Sequence, residues 1–139
     1  MNKKIINIVF IIFCFMVLMV GCEKKVYYWK IAYDLDRVTS IQIVDAASET
    51  NYEVIKELDA DLIAEAYYDI EHLEMERYGP NLKNTGGICF IVNFDTGEYD
   101  YIAKNEPQHF IYEGDELHSY ITWLWCDQDD FDKLVEKYM

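Results

Sequence analysis

Lysine and arginine are scarce in this 139-residue chain: twelve, against twenty-six aspartates and glutamates, for a formal net charge of −14 at pH 7. A surface of that sign repels nucleic-acid phosphates and anionic lipid headgroups, so neither is an expected partner. Proline and glycine are few as well, two and six. Neither a low-complexity linker nor an internal repeat interrupts the chain. Histidine occurs three times. His72 lies in Glu71-His72-Leu73-Glu74-Met75-Glu76, which lacks the second histidine of a zinc-protease helix. What is plentiful is apolar and aromatic: 52% of residues are hydrophobic and twelve are tyrosines. That is enough apolar surface to offset the chain entropy of folding.

The apolar residues concentrate first at the N-terminus. Lys3 and Lys4 precede a nearly unbroken apolar run from Ile8 to Val20, closed by Gly21 and Cys22 and followed by Glu23, Lys24 and Lys25. A basic start, an apolar stretch and a small residue before an abrupt polar change make an export signal. An uncleaved membrane anchor needs about 20 apolar residues, more than this run offers. An ordinary secretory signal would leave Cys22 without a role.

Leu18-Met19-Val20-Gly21-Cys22 resembles the lipobox of bacterial lipoproteins. Gly21 supplies the small residue before the cysteine, and Met19 stands where that family usually carries leucine. The resemblance implies cleavage between Gly21 and Cys22 and a diacylglyceryl group on the Cys22 thiol. It also implies a location on the outer side of the cell membrane. Two acyl chains are the physical requirement, because each buried methylene contributes about 0.8 kcal/mol and a single chain binds only marginally.

The division expected along the chain is a removed signal at 1–21, a lipidated N-terminus and tether at 22–36, and one domain at 37–139. Residues 1–21 carry Lys3 and Lys4 and no acidic residue, so the remainder holds ten basic and twenty-six acidic residues, a net −16. Solubility is the ordinary reason for such an excess; a basic partner or a loosely held cation is the other. Tyr27, Tyr28, Trp29 and Tyr33 give the tether enough aromatic surface to dock on the domain or to sit at a lipid interface. Of the four cysteines, Cys14 leaves with the signal and Cys22 is taken by lipid. Cys89 and Cys126 can then pair in one disulfide or remain two buried thiols.

The pattern of the domain predicts strands at Val38–Val44 and Tyr52–Leu58, then a helix from Asp59 or Ala60 to Met75 capped by Asp59 or Asp61. Gly79-Pro80 ends that helix. Strands follow at Ile88–Phe94 and Glu98–Lys104 around the turn Asp95-Thr96-Gly97. A hairpin, Gln108–Glu113 and Leu117–Trp125, turns at Gly114-Asp115. A last helix spans Gln128–Tyr138, with Asp127, Asp129 and Asp130 at its positive end. The order ββαββββα predicts an α+β fold, an antiparallel sheet with two helices packed on one face. Its topology is similar to a half-unit of the TATA-box-binding-protein-like fold, an analogy of shape alone.

A two-residue turn at Gly114-Asp115 sets Ile111 opposite His118 and His109 opposite Tyr120. His109, Ile111, His118, Tyr120, Thr122 and Leu124 then share one face, a mixed polar and aromatic surface suited to a partner. Phe110, Tyr112, Leu117, Ile121, Trp123 and Trp125 share the other, the expected core. His109 and His118 are diagonal neighbours, short of the four ligands of a structural zinc site. The acidic run from Asp127 to Asp132 lacks the glycine and distal glutamate of a calcium loop, and helix capping accounts for it. No serine or cysteine sits in a nucleophile pattern.

Residues IQIVD, GGICFIVNFDTGEYDYIA and CDQDDFDKLVEKY are similar to elements of small, functionally uncharacterised lipoproteins of Firmicutes-type bacteria. The expectation is a membrane-anchored, extracytoplasmic, non-enzymatic domain that meets a protein or envelope component, with no cofactor, no metal and no nucleic acid. The alternatives are a small-solute receptor or enzyme with a pocket between sheet and helices, and a metal-binding lipoprotein.

Overall fold

The computed structural model describes residues 25–77 and 86–139. The expected signal, its cleavage point, Cys22 and the Gly79-Pro80 helix stop lie outside them. In chain order the elements are β1 (Tyr27–Tyr28), a 3-10 turn (Leu35–Arg37), β2 (Val38–Ser48), β3 (Asn51–Glu57), α1 (Ile63–Glu71), β4 (Glu74–Arg77), β5 (Gly87–Phe94), β6 (Tyr99–Ile102), β7 (Gln108–Glu113), β8 (Glu116–Ile121), β9 (Leu124–Cys126) and α2 (Gln128–Tyr138). The fold is α+β. A six-stranded antiparallel sheet has the order β3-β2-β5-β6-β7-β8, and a small sheet has the order β1-β4-β9.

Both helices contribute to one cluster on one face of the large sheet. Ile41, Ile43, Phe90 and Val92 meet Ala66 and Ile70 of α1 and Phe131, Leu134, Val135 and Tyr138 of α2. The α2 stripe falls at helical spacing, and Asp127 Oδ1 caps its first turn by accepting from Asp129 N at 2.9 Å. The opposite face is buried too, around Val44, Cys89, Ile91, Tyr101 and Phe110, roofed by half-buried Tyr52 and Tyr99. Ile43 and Val44, neighbours in β2, point to opposite faces and are both buried, Ile43 in the helix-side cluster and Val44 in the other. Two-sided burial is why β5 reads as a nearly continuous apolar run.

Three local expectations change. The first helix is shorter than Asp59–Met75 and its N-cap is Leu62, with no side-chain cap from Asp59 or Asp61. Its expected last turn is instead β4, whose Met75 pairs with Tyr27 and Cys126. Leu73 fits the helical stripe that runs through Ile70, whereas Met75, two residues further on and also buried, fits only a two-residue period. The expected strand Leu117–Trp125 is two strands, with β8 in the large sheet and β9 in the small one. The strand count therefore exceeds that of ββαββββα. Finally, the tether does not precede the domain but belongs to it. Trp29 and Ile31 are in the main cluster, so the fold includes residues from Tyr27 onward.

Candidate interaction surface and the strap beside it

The β7–β8 hairpin pairs Ile111 with His118 and His109 with Tyr120, the register expected from a two-residue turn. Gly114 sits in that turn at φ 69°, which glycine adopts without strain. The faces differ from expectation. β6 joins β7 through Asp100 opposite His109, and β5 joins β6 through Val92 opposite Asp100. His109, Ile111, His118 and Tyr120 therefore extend the face that carries the helices. Leu124 is buried in β9 and pairs with Arg77. Thr122 lies between the strands, with its Oγ1 buried and unpartnered among the described residues. The six residues do not form one surface.

The set expected in the core divides as well. Phe110 is buried and stacks on Tyr99 with ring centroids 4.6 Å apart. Tyr112, Leu117, Ile121 and Trp123 are exposed, Trp123 at 64%. The physical reason is position in the sheet. Burial on that face is centred on β2, β5 and β6, and the hairpin extends past it. A face more apolar than its reverse is not thereby covered.

On the helix-side face the hairpin meets residues 29–33, a strap held there by bonds from Trp29, Ile31, Ala32 and Tyr33. Asp100 is fully buried. Its Oδ2 accepts from Ala32 N at 3.0 Å and Trp29 Nε1 at 3.3 Å, and its Oδ1 meets His109 Nδ1 at 2.6 Å. The Trp29 and His109 rings lie 4.2 Å apart. Burial lifts the Asp100 carboxyl above its ordinary range, and His109, Ala32 N–H and Trp29 oppose that shift. Two more carboxylates hold the strap. Glu71 Oε1 accepts from Ile31 N at 3.2 Å, and Glu98 Oε2 accepts from the Tyr33 hydroxyl. Glu98 Oε1 also accepts from Tyr112 N at 2.7 Å, tying strap to hairpin. Burial raises the Glu98 pKa, but the bonds from Tyr33, Tyr112 and Thr96 outweigh it and hold the carboxyl below its usual range.

Asp100 beside His109 resembles the orienting half of a catalytic triad. The hydroxyl that this face of β8 presents is Tyr120, which donates to Glu113. Ser119 pairs with Phe110 and faces the other way. The geometry makes the pair a clamp for the strap. Sequence reasoning missed Asp100 and Glu98. The available signal was an acid at the inward position of Tyr-Asp-Tyr-Ile, one residue pair before Ile102.

His118 Nε2 approaches Glu116 at 3.7 Å while His109 faces Asp100, so the two imidazoles meet different carboxylates. Among the described residues, no three His, Cys, Asp or Glu side chains are grouped to hold a metal, and no helix is long and apolar enough to cross a membrane. Cys89 and Cys126 are separate free thiols rather than a disulfide. Cys89 lies in the cluster roofed by Tyr52 and Tyr99, its Sγ 3.1 Å from the Tyr101 hydroxyl, and Cys126 lies in the helix-side cluster. Burial pushes their pKa values to about 11 and about 12.

No family model, curated protein or solved structure matches the chain.

Proposed function

We propose that this protein is a lipid-anchored, extracytoplasmic interaction domain that works by binding another protein of the cell envelope rather than by catalysis. The observation that carries the reading is the hairpin surface of Tyr112, Leu117 and Ile121, continued by Trp123: large apolar side chains, exposed together on paired strands. Such residues exposed as a group, rather than scattered, mark binding surfaces. Anchoring is supported by the likeness of Leu18–Cys22 to a lipobox. Tyr27, where the fold begins, is five residues from Cys22, so at about 3.5 Å per residue an anchored domain stands no further than about 18 Å from its lipid.

Two variants test the two halves separately. Cys22→Ser should move the protein from the membrane to the soluble fraction with its circular dichroism unchanged; full membrane retention refutes the anchor. A photo-crosslinking amino acid at position 123 should capture one envelope protein in living cells, and the same probe at exposed Asp132 should not. Equal capture from both positions refutes the surface.

A further inference from the structure

Among the described residues, the hairpin ends the large sheet in a strand, β8, with no further strand paired to it, and the other sheet edges are guarded. At the opposite edge, β3 pairs with β2 through two register shifts, and its Lys56 reaches back to the carbonyl of Met139 at 3.0 Å. Bulges and lysines are the usual protection of an edge. In the small sheet β1 is two residues long. The free side of β9 is covered by residues 104–106, through a bridge between Asn105 and Trp125 and the bonds Cys126 N to Lys104 O and Glu106 N to Leu124 O, both 2.8 Å. β8 has six residues and no proline, lysine or register shift. Among the described residues, Glu116–Ile121 make no backbone hydrogen bond beyond the ladder with β7.

The two sides of this edge differ in chemistry. Glu116, His118 and Tyr120 project to one side, where Glu113 pairs with Glu116. Leu117, Ser119 and Ile121 project to the other, where Tyr112 pairs with Leu117. One side is acidic and the other apolar. From Asn105 to Asp132 the chain has eight acidic residues and no lysine or arginine. A second copy would bring the same carboxylates against these, so charge opposes self-pairing.

We propose that β8 is a strand-addition site for an extended segment of a protein partner in which basic and apolar residues alternate. Main-chain hydrogen bonds to β8 supply the grip. Basic side chains of the segment meet Glu113 and Glu116, and apolar ones cover Leu117 and Ile121. The proposal rests on the interaction-domain reading and specifies its partner.

The test uses the full chain in neutral detergent and a fluorescein-labelled peptide alternating lysine and valine. Binding should saturate and should slow hydrogen exchange of amides within Glu116–Ile121. The same peptide, N-methylated at every second amide, should bind at least about ten-fold more weakly. Glu116→Lys, at a site fully outside the core, should weaken the parent peptide about five-fold. Equal binding of both peptides overturns the proposal, because charge alone would then suffice. Exchange protection away from β8, no binding, or a peptide-free dimer protected at β8 overturns it as well. Capture from position 123 in cells together with any of these results leaves the interaction domain standing and removes strand addition alone.

Discussion

Replacing Asp100 by alanine should detach the strap, and the structure sets the size of the effect. The carboxylate is fully buried and satisfies two donors that have no other partner among the described residues, Ala32 N and Trp29 Nε1, besides His109. Each buried donor left unpaired costs about 1–3 kcal/mol. His109 is about a quarter exposed and can turn to water, so its share is small. The total is about 2–6 kcal/mol, a range that spans the cost of breaking one side of a buried polar pair, and a large part of a domain stability of about 5–15 kcal/mol. Asp100→Asn keeps an acceptor oxygen and the side-chain shape, and should cost less than half as much. The measurement is urea unfolding followed by circular dichroism and by tryptophan emission. Trp29 is 2% exposed while Trp123 is already open, so loosening of the strap should shift emission to the red before denaturant is added. A stability within about 1 kcal/mol of the parent, with emission unchanged, would refute the reasoning.

Other perturbations follow from single sites. Gly86 has φ 80°, and a Cβ there would lie 2.2 Å from the Ala46 carbonyl oxygen; Gly86→Ala should cost about 2 kcal/mol or more by thermal unfolding. Gly87→Ala, at φ 112° with open space around it, should cost only the backbone strain, and a larger loss there would contradict the contact. Asp69 joins the helices through Lys137 Nζ at 2.6 Å and the Tyr138 hydroxyl at 2.7 Å. Burial raises its pKa, but those two bonds outweigh it and hold the group low. Its stabilisation is therefore complete above the ordinary aspartate value and is lost as pH falls through the depressed one. Urea midpoints of the parent and Asp69→Asn should differ at pH 6 and converge in acid. Cys89 and Cys126, buried with raised pKa values, should react with iodoacetamide in urea and resist it in the folded state, as titrated by mass spectrometry.

Reading the two-residue and helical periods captured what depends on near neighbours in the chain. The alternation of Phe90, Val92 and Phe94 with Cys89 and Ile91, the hairpin register and the bounds of α2 all stand in the structure. What it missed depends on contacts distant in sequence. The strap is held by Asp100, about 70 residues away, and the pattern around Trp29 carries no trace of that partner. Burial of the sheet on both faces erased the polar side by which a face is normally assigned. Alternation then told which residues of β7 and β8 travel together, and left open which set faces the helices. The exposed residues Tyr112, Leu117 and Ile121 were expected inside because theirs is the more apolar face, although the hairpin extends past the part of the sheet that is covered.

The acid excess also has an internal division that composition hides. One group of carboxylates builds the fold: Asp100, Glu98 and Glu71 hold the strap, Asp69 clamps α1 to α2, and Asp95 pairs with Arg37 at 2.7 Å. Another group does little of this. Glu113, Asp115 and Glu116 sit exposed at the hairpin tip with no lysine or arginine within the hairpin. Glu113 accepts from Tyr120 and Glu116 lies beside His118. Solubility would be served as well by charges spread evenly over the surface, and it gives no reason to gather three beside an unguarded strand edge. Such a cluster does repel a second copy, and it favours an incoming chain of opposite sign. A protein that must keep an edge open without polymerising through it has few other means of doing so. Neutralising the tip as Glu113→Gln, Asp115→Asn and Glu116→Gln should therefore cause concentration-dependent self-association, read by sedimentation velocity, while the melting temperature at low concentration stays within a few degrees. A triple variant that remains monomeric at high concentration would show that the charges do not guard the edge.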